Sequence, residues 1–203
     1  YTDGYRLSST ATGWKWETLP ELPWPLTAAG ICRIGKKIYL TGGADYDLQQ
    51  FYTASDRSGH VDHLGARMLV LDTSNLALGW KELTRCPGTP RWVHAMAAVD
   101  DHLFVFGGAT GSDNPAKSTY TVVDNWMYAP AVDRWTRLAD LPIASGNFPS
   151  GAIVFKDRYI LLVGGYQYGQ ILSPNGKTAP AYGTPSRHYD DNPMCSDVFV
   201  YDV

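Results

Sequence analysis

The 203-residue sequence predicts an all-β fold made of repeated four-stranded units, and three recurring features carry that expectation. An apolar segment ends in a glycine pair three times, at Gly42-Gly43, Gly107-Gly108 and Gly164-Gly165. A tryptophan lies upstream of each pair, Trp16, Trp80 and Trp135, with spacings of 64 and 55 residues. Between tryptophan and glycine pair stands a run of small residues: Ala28-Ala29-Gly30, Ala95-Met96-Ala97-Ala98 and Gly151-Ala152.

The elements follow in order within each unit. Small side chains suit an inner strand crowded against its neighbours, where a leucine would not fit. Next come Lys37-Ile38-Tyr39-Leu40-Thr41, His102-Leu103-Phe104-Val105-Phe106 and Tyr159-Ile160-Leu161-Leu162-Val163. They are short, rich in β-branched and aromatic residues, and closed by turn residues, which reads as strand rather than helix. The third strands are 68–72, 124–128 and 197–202, and the outer strands 79–83 and 134–138 contain the tryptophans. Residues 14–19 read as an outer strand with no sheet before it, after a lead-in of residues 1–13. The units are then 28–83, 93–138 and 150–203, the last without its outer strand.

A small-residue strand, a strand ending in Gly-Gly, a strand ending near Tyr/Leu-Asp and a tryptophan strand followed by Leu-Pro together resemble the kelch repeat of β-propellers. The match covers nearly all of residues 14–203, at a repeat longer than the roughly 50 residues of kelch, so the excess falls in loops. The resemblance implies blades stacked around an axis, since one four-stranded sheet cannot bury both faces alone. Propellers usually close with four to eight blades. The three present are expected to be half of a six-bladed ring, completed by remaining blades or by another chain. Glycine pairs and repeat tryptophans are structural in every such unit, and are not site residues. Within kelch proteins, Trp14-Lys15-Trp16-Glu17-Thr18-Leu19-Pro20-Glu21-Leu22-Pro23 with Gly42-Gly43-Ala44-Asp45-Tyr46 resembles the bacterial sialic-acid epimerase and mutarotase group.

Composition removes several classes of function. A net charge of −3 and a pI near 5.9 give no electrostatic footprint for nucleic acid. No apolar run approaches the roughly 20 residues needed to span a bilayer. The expected location is extracytoplasmic, periplasmic or secreted. The three cysteines, Cys32, Cys86 and Cys195, are odd in number and lack metal-ligand spacing. They read as free thiols that pack as small hydrophobes, and no cofactor is expected.

Candidate function lies in the long polar excursions after each glycine pair, residues 44–66, 109–120 and 166–196, which leave from equivalent strand ends and so rise at one end of the repeat. Loops of this length usually carry function. They hold Asp45, Tyr46, Tyr166, Tyr168, Arg187, His188 and Tyr189. Tyrosines among Asp, Arg and His offer flat apolar faces beside dense hydrogen-bonding groups, which suits a carbohydrate or another polar small molecule. Packing of these loops on one another is the plain structural alternative. Arg91, in Pro90-Arg91-Trp92-Val93-His94, occupies the position at which kelch proteins commonly point an arginine toward the ligand. Its counterparts are taken as Leu26 and Asn147. Arg91 could also pin a loop carbonyl. His60-Val61-Asp62-His63 has metal-ligand chemistry, but no second cluster supplies further ligands, so no metal is expected.

Three functions remain open: a carbohydrate-binding scaffold, a sugar epimerase or mutarotase, and a protein-interaction part of an extracellular assembly. Fold alone does not choose among them. An epimerase needs an acid/base pair, and the three glutamates, Glu17, Glu21 and Glu82, fall on or beside outer strands.

Overall fold

The computed structural model describes residues 2–44, 65–111, 119–148, 151–167, 170–172, 178–179 and 197–203. Three antiparallel sheets follow one another along the chain. The first is formed by β3 (Gly30–Ile34), β4 (Lys37–Thr41), β5 (Met68–Asp72) and β6 (Trp80–Leu83), hydrogen-bonded in sequence order. The second contains β7 (Ala95–Val99), β8 (His102–Phe106), β11 (Trp126–Ala129) and β12 (Arg134–Arg137), again running from inner to outer strand. The third is β13 (Ala152–Phe155), β14 (Tyr159–Val163) and β17 (Val198–Asp202). The inner strands β3, β7 and β13 lie side by side, which explains the run Ala95, Ala97 and Ala98 where neighbouring sheets converge.

Period-two alternation divides each sheet between its two neighbours. Tyr39 and Met68 of the first sheet meet Met96, Leu103, Val105, Tyr128 and Trp135 of the second in one buried cluster. On the opposite face of the second sheet, Ala95, Ala97, Phe104 and Phe106 pack on Ile160, Leu162, Phe199 and Tyr201 of the third. The inner part of the second sheet is therefore apolar on both faces, and β7 and β8 read as nearly continuous hydrophobic runs.

The glycine pairs answer a backbone requirement. Gly42 and Gly43 have φ of 63° and 94°, Gly107 and Gly108 of 55° and 105°, in the region that side chains with a Cβ seldom enter. Space is also short, because a Cβ on Gly108 would lie 2.8 Å from the Trp92 carbonyl oxygen.

The tryptophans set the order of the sheets. Trp135 donates its indole N–H to the Thr84 carbonyl just beyond β6, at 2.8 Å. Trp80 donates in the same way to the Pro20 carbonyl, at 3.1 Å. Pro20 follows β2 (Gly13–Leu19), so β2 stands toward the first sheet as an outer strand stands toward the next repeat. The lead-in also contains a strand: β1 (Gly4–Thr10) pairs with β2 in a hairpin, with Leu7 opposite Trp16 and Arg6 opposite Glu17. Trp14 and Trp16 are 74% and 65% exposed on one face of it, while an Arg6–Glu17 ion pair of 2.7 Å lies on the other.

A further four-stranded sheet was not legible in the sequence. β9 (Ala109–Gly111) and β10 (Thr119–Val122) follow the second glycine pair, and β15 (Gln170–Leu172) and β16 (Thr178–Ala179) follow the third. β10 and β15 pair in parallel, Tyr120 opposite Gln170, so the excursions of two neighbouring repeats are joined by main-chain bonds. The whole is a partial β-propeller.

Candidate functional site

Three equivalent junctions, one per repeat, lead into the inner strands. Thr27 bridges to Ala44, Trp92 to Ala109 and Gly146 to Tyr166, in each case joining the entering chain to the residue after the glycine pair. The next residue has a left-handed backbone every time: Ala28 at φ 54°, Val93 at 47° and Asn147 at 49°. Asparagine tolerates this region, but a β-branched valine there is strained, by roughly 1–3 kcal/mol. Backbone bonds hold it in place. The Val93 N–H donates to the Ala28 carbonyl at 2.9 Å and the Asn147 N–H to the Val93 carbonyl at 2.6 Å. A chain of main-chain bonds thus crosses from repeat to repeat where the inner strands begin.

This register corrects one sequence alignment. Asn147 corresponds to Val93 and Ala28, and the counterpart of Arg91 in the third repeat is Ser145. Counted from the outer-strand tryptophan the chain is one residue shorter there, 12 residues from Trp135 to Asn147 against 13 from Trp80 to Val93, and no Pro-Arg marks the position. Ser145 and Arg91 do the same work: the Ser145 hydroxyl donates to the Gly164 carbonyl at 3.1 Å and Arg91 Nη1 to the Gly107 carbonyl at 3.1 Å. Each anchors the glycine turn of its own repeat.

Of the two roles open to Arg91 in the sequence, its contacts are those of a residue that pins loop carbonyls. It is 2% exposed. Its Nη2 forms a 2.5 Å ion pair with Asp124 Oδ2, Nη1 also donates to the Asp124 carbonyl at 2.6 Å, and Nε donates to the Thr89 carbonyl at 3.0 Å. Asp124 Oδ2 accepts in addition from the Trp126 indole at 2.5 Å. A guanidinium has five N–H donors, and these contacts with the Gly107 carbonyl engage four. These contacts make Arg91 a buried clamp between the 88–92 segment and the second sheet, bonded to three backbone carbonyls.

Of the other expected ligand contacts, Asn147 and Tyr166 are half-buried. The Asn147 carboxamide makes no hydrogen bond among the described residues, whereas Tyr166 is held through its backbone, which exchanges two hydrogen bonds with Gly146. The junction therefore brings Asn147 within one residue of the bridge that carries Tyr166. Asp45, Tyr46, Tyr168, Arg187, His188 and Tyr189 lie outside the described residues, as do His60, Asp62 and His63. Among the described residues no group of three His, Cys, Asp or Glu side chains gathers that could hold a metal ion.

His94 is the residue that sequence reasoning passed over. It follows the left-handed Val93, where the other repeats have Ala29 and Phe148, and it is 8% exposed with neither ring nitrogen hydrogen-bonded. Burial, with the Arg91 charge as a lesser cause, holds its pKa down to about 3. It is a neutral imidazole occupying a core position. The available signal was a histidine in a place where the aligned units have an alanine and a phenylalanine.

Comparison with known proteins agrees with the geometry. No family model matches the chain. An N-acetylneuraminate epimerase from Haemophilus influenzae is 30% identical over 122 residues, covering 60% of this chain and 27% of that protein. Kelch-like protein 15 of Danio rerio is 27% identical over 159 residues, covering 76% of this chain and 24% of that protein. The solved structure of YjhT superposes with a TM-score of 0.57 at 22% identity, over 74% of this chain and 37% of that one. The chain thus spans about a quarter of the length of these two curated relatives. It resembles the kelch-repeat proteins, including proteins named for sialic-acid epimerisation, and has the fold of a partial kelch-type propeller.

Proposed function

We propose that this propeller recognises a carbohydrate at the end from which the excursions after the glycine pairs depart, and that sialic acids are the first class to test. The observation that carries the reading is the similarity to N-acetylneuraminate epimerases. Two structural features support it. The excursions of the second and third repeats join in one sheet, and Asn147 offers an uncommitted amide, both donor and acceptor, beside the junction from which that sheet departs. A periplasmic or secreted location fits a glycan ligand.

Epimerase activity is the second reading, favoured by the names of those relatives. Turnover requires a positioned acid and base. Glu17 is committed to Arg6, Glu82 lies beside Arg67 and Arg85, and His94 is enclosed and neutral. Among the described residues these groups form no acid/base pair facing the loop-bearing end, which is why binding is placed first.

The test is a glycan array followed by calorimetric titration of the natural full-length protein with N-acetylneuraminate. Asn147→Gly preserves the left-handed backbone and removes the amide. It is expected to weaken binding about twofold to tenfold, the worth of one hydrogen bond, with little change in melting temperature. Acceleration of anomer exchange in N-acetylneuraminate, followed by NMR, would establish the epimerase reading instead. Failure to bind any glycan would overturn the carbohydrate assignment.

A further inference from the structure

We propose that the seam between the first and second sheets is an acid-sensitive joint with His94 as its trigger, and that opening it releases the Gly42-Gly43 turn and the main-chain bond between Val93 and Ala28. The imidazole is enclosed by three backbone segments. A Cβ added to Gly42 would lie 2.6 Å from His94 Cε1, and one added to Gly108 2.9 Å from His94 Cβ; Gly30 on β3 closes against Nε2. Two glycine turns and an inner strand have given up their side chains around one ring. The ring nevertheless receives no hydrogen bond from any of them. Phenylalanine would fill such a space without two stranded nitrogens, and the third repeat does use Phe148 at this position. A neutral polar group left without a partner in the interior is costly, and an imidazolium costs far more.

Among the described residues the surroundings offer no counter-charge. Gly30, Gly42, Gly108 and Met96 carry none. Cys32 on β3 keeps its proton, since burial pushes the thiol up to about 12, and Tyr39 on β4 keeps its own, its pKa also raised by burial. From the 88–92 segment Arg91 faces the site as a cation, and its partner Asp124 is already engaged. Every described element packed on the ring therefore disfavours protonation in place.

The sign follows from linkage. The folded pKa is depressed, so above the ordinary value of 6.5 the closed seam bears no penalty. As pH falls below 6.5, states that expose His94 take up a proton that the closed state refuses until about pH 3. Two bonds report the opening. The Gly43 N–H is bonded to the Arg91 carbonyl at 2.8 Å and the Val93 N–H to the Ala28 carbonyl at 2.9 Å. Both cross the seam, and both belong to the junctions from which the loop-bearing end is built.

The experiment is amide hydrogen exchange of the natural protein between pH 7 and 5, corrected for the intrinsic pH dependence of exchange. Protection of the Gly43 and Val93 amides is expected to fall about 30-fold, which is 1.5 pH units below 6.5. It should stay constant in His94→Phe, the residue that the third repeat uses. Because that variant could fail to fold, the wild-type His94 Cε1 proton shift supplies an independent reading. It is expected to stay flat down to about pH 4, and a midpoint near 6.5 in the folded protein would overturn the proposal. Constant protection in the wild type, or an equal fall in His94→Phe, would overturn it as well.

Discussion

Replacing Arg91 by methionine separates a clamp from a ligand contact. The substitution keeps a long side chain and removes four donated hydrogen bonds, leaving the Asp124 carboxylate buried with the Trp126 indole as its remaining described donor. Breaking a buried ion pair by removing one partner costs about 3–5 kcal/mol, because the other charge stays enclosed. The melting temperature of a chain this size moves roughly 2–4 °C per kcal/mol. Scanning calorimetry should therefore show a fall of about 6–20 °C. Adding Asp124→Asn removes the stranded charge, so the double variant should lose less than the two single losses added together. The reasoning is refuted if Arg91→Met leaves the melting temperature within about 2 °C while abolishing glycan binding. That pair of results would return Arg91 to the ligand.

Two further outcomes follow from packing. Gly107→Ala is expected to destabilise by about 2 kcal/mol or more, since a Cβ there meets the Ser145 carbonyl in a left-handed backbone. Gly35→Ala, left-handed but in open space, should cost only about 1 kcal/mol, as urea midpoints would show. Cys32 and Cys86 are expected to resist alkylation at pH 8 in the folded protein, because burial raises both thiols and only the thiolate reacts. Labelling read by mass spectrometry at rates close to those of the unfolded chain would contradict this.

The sheets were readable because each repeat writes them again: a strand type seen three times in the same order outweighs its local ambiguity. What occurs once was harder to see. β1 has no counterpart in the other units, and its Ser8-Ser9-Thr10 end looks like a loop. The sheet of β9, β10, β15 and β16 is held by pairing between repeats, and strands of two to four residues leave little periodicity to detect. Arg91 was visible as a position but its partner was not, since Asp124 lies 33 residues away and becomes a neighbour only when the sheets stack. Separation in sequence also hid two of the glycines around His94, Gly30 and Gly42, which lie 64 and 52 residues away.

The third sheet presents a surface whose shape the second sheet explains. Between them lies a cleft of about 380 Å³ bounded by Ala139, Leu162, Val200 and Tyr201. One repeat earlier the corresponding space is bounded by Thr84, Val105 and Tyr128 and is filled by Trp135, whose ring lies 4.9 Å from that of Tyr128. The cleft thus has the form of a slot for an outer-strand tryptophan, beside an edge of β17 that is unpaired among the described residues. By register, Ile153, Val198 and Val200 share one face with Phe155, and these four are 48–60% exposed. An open apolar edge of this kind templates strand pairing between molecules. Expressed as residues 1–203, the chain is expected to self-associate, and Val198→Lys with Val200→Lys should suppress it. Exposed substitutions usually change stability by less than about 0.5 kcal/mol each, so the melting temperature should move by no more than a few degrees. Sedimentation velocity provides the readout. If the double variant associates as strongly as the parent, the edge is not where the molecules meet; if it unfolds, the two valines are packed in solution, contrary to the exposed edge seen here.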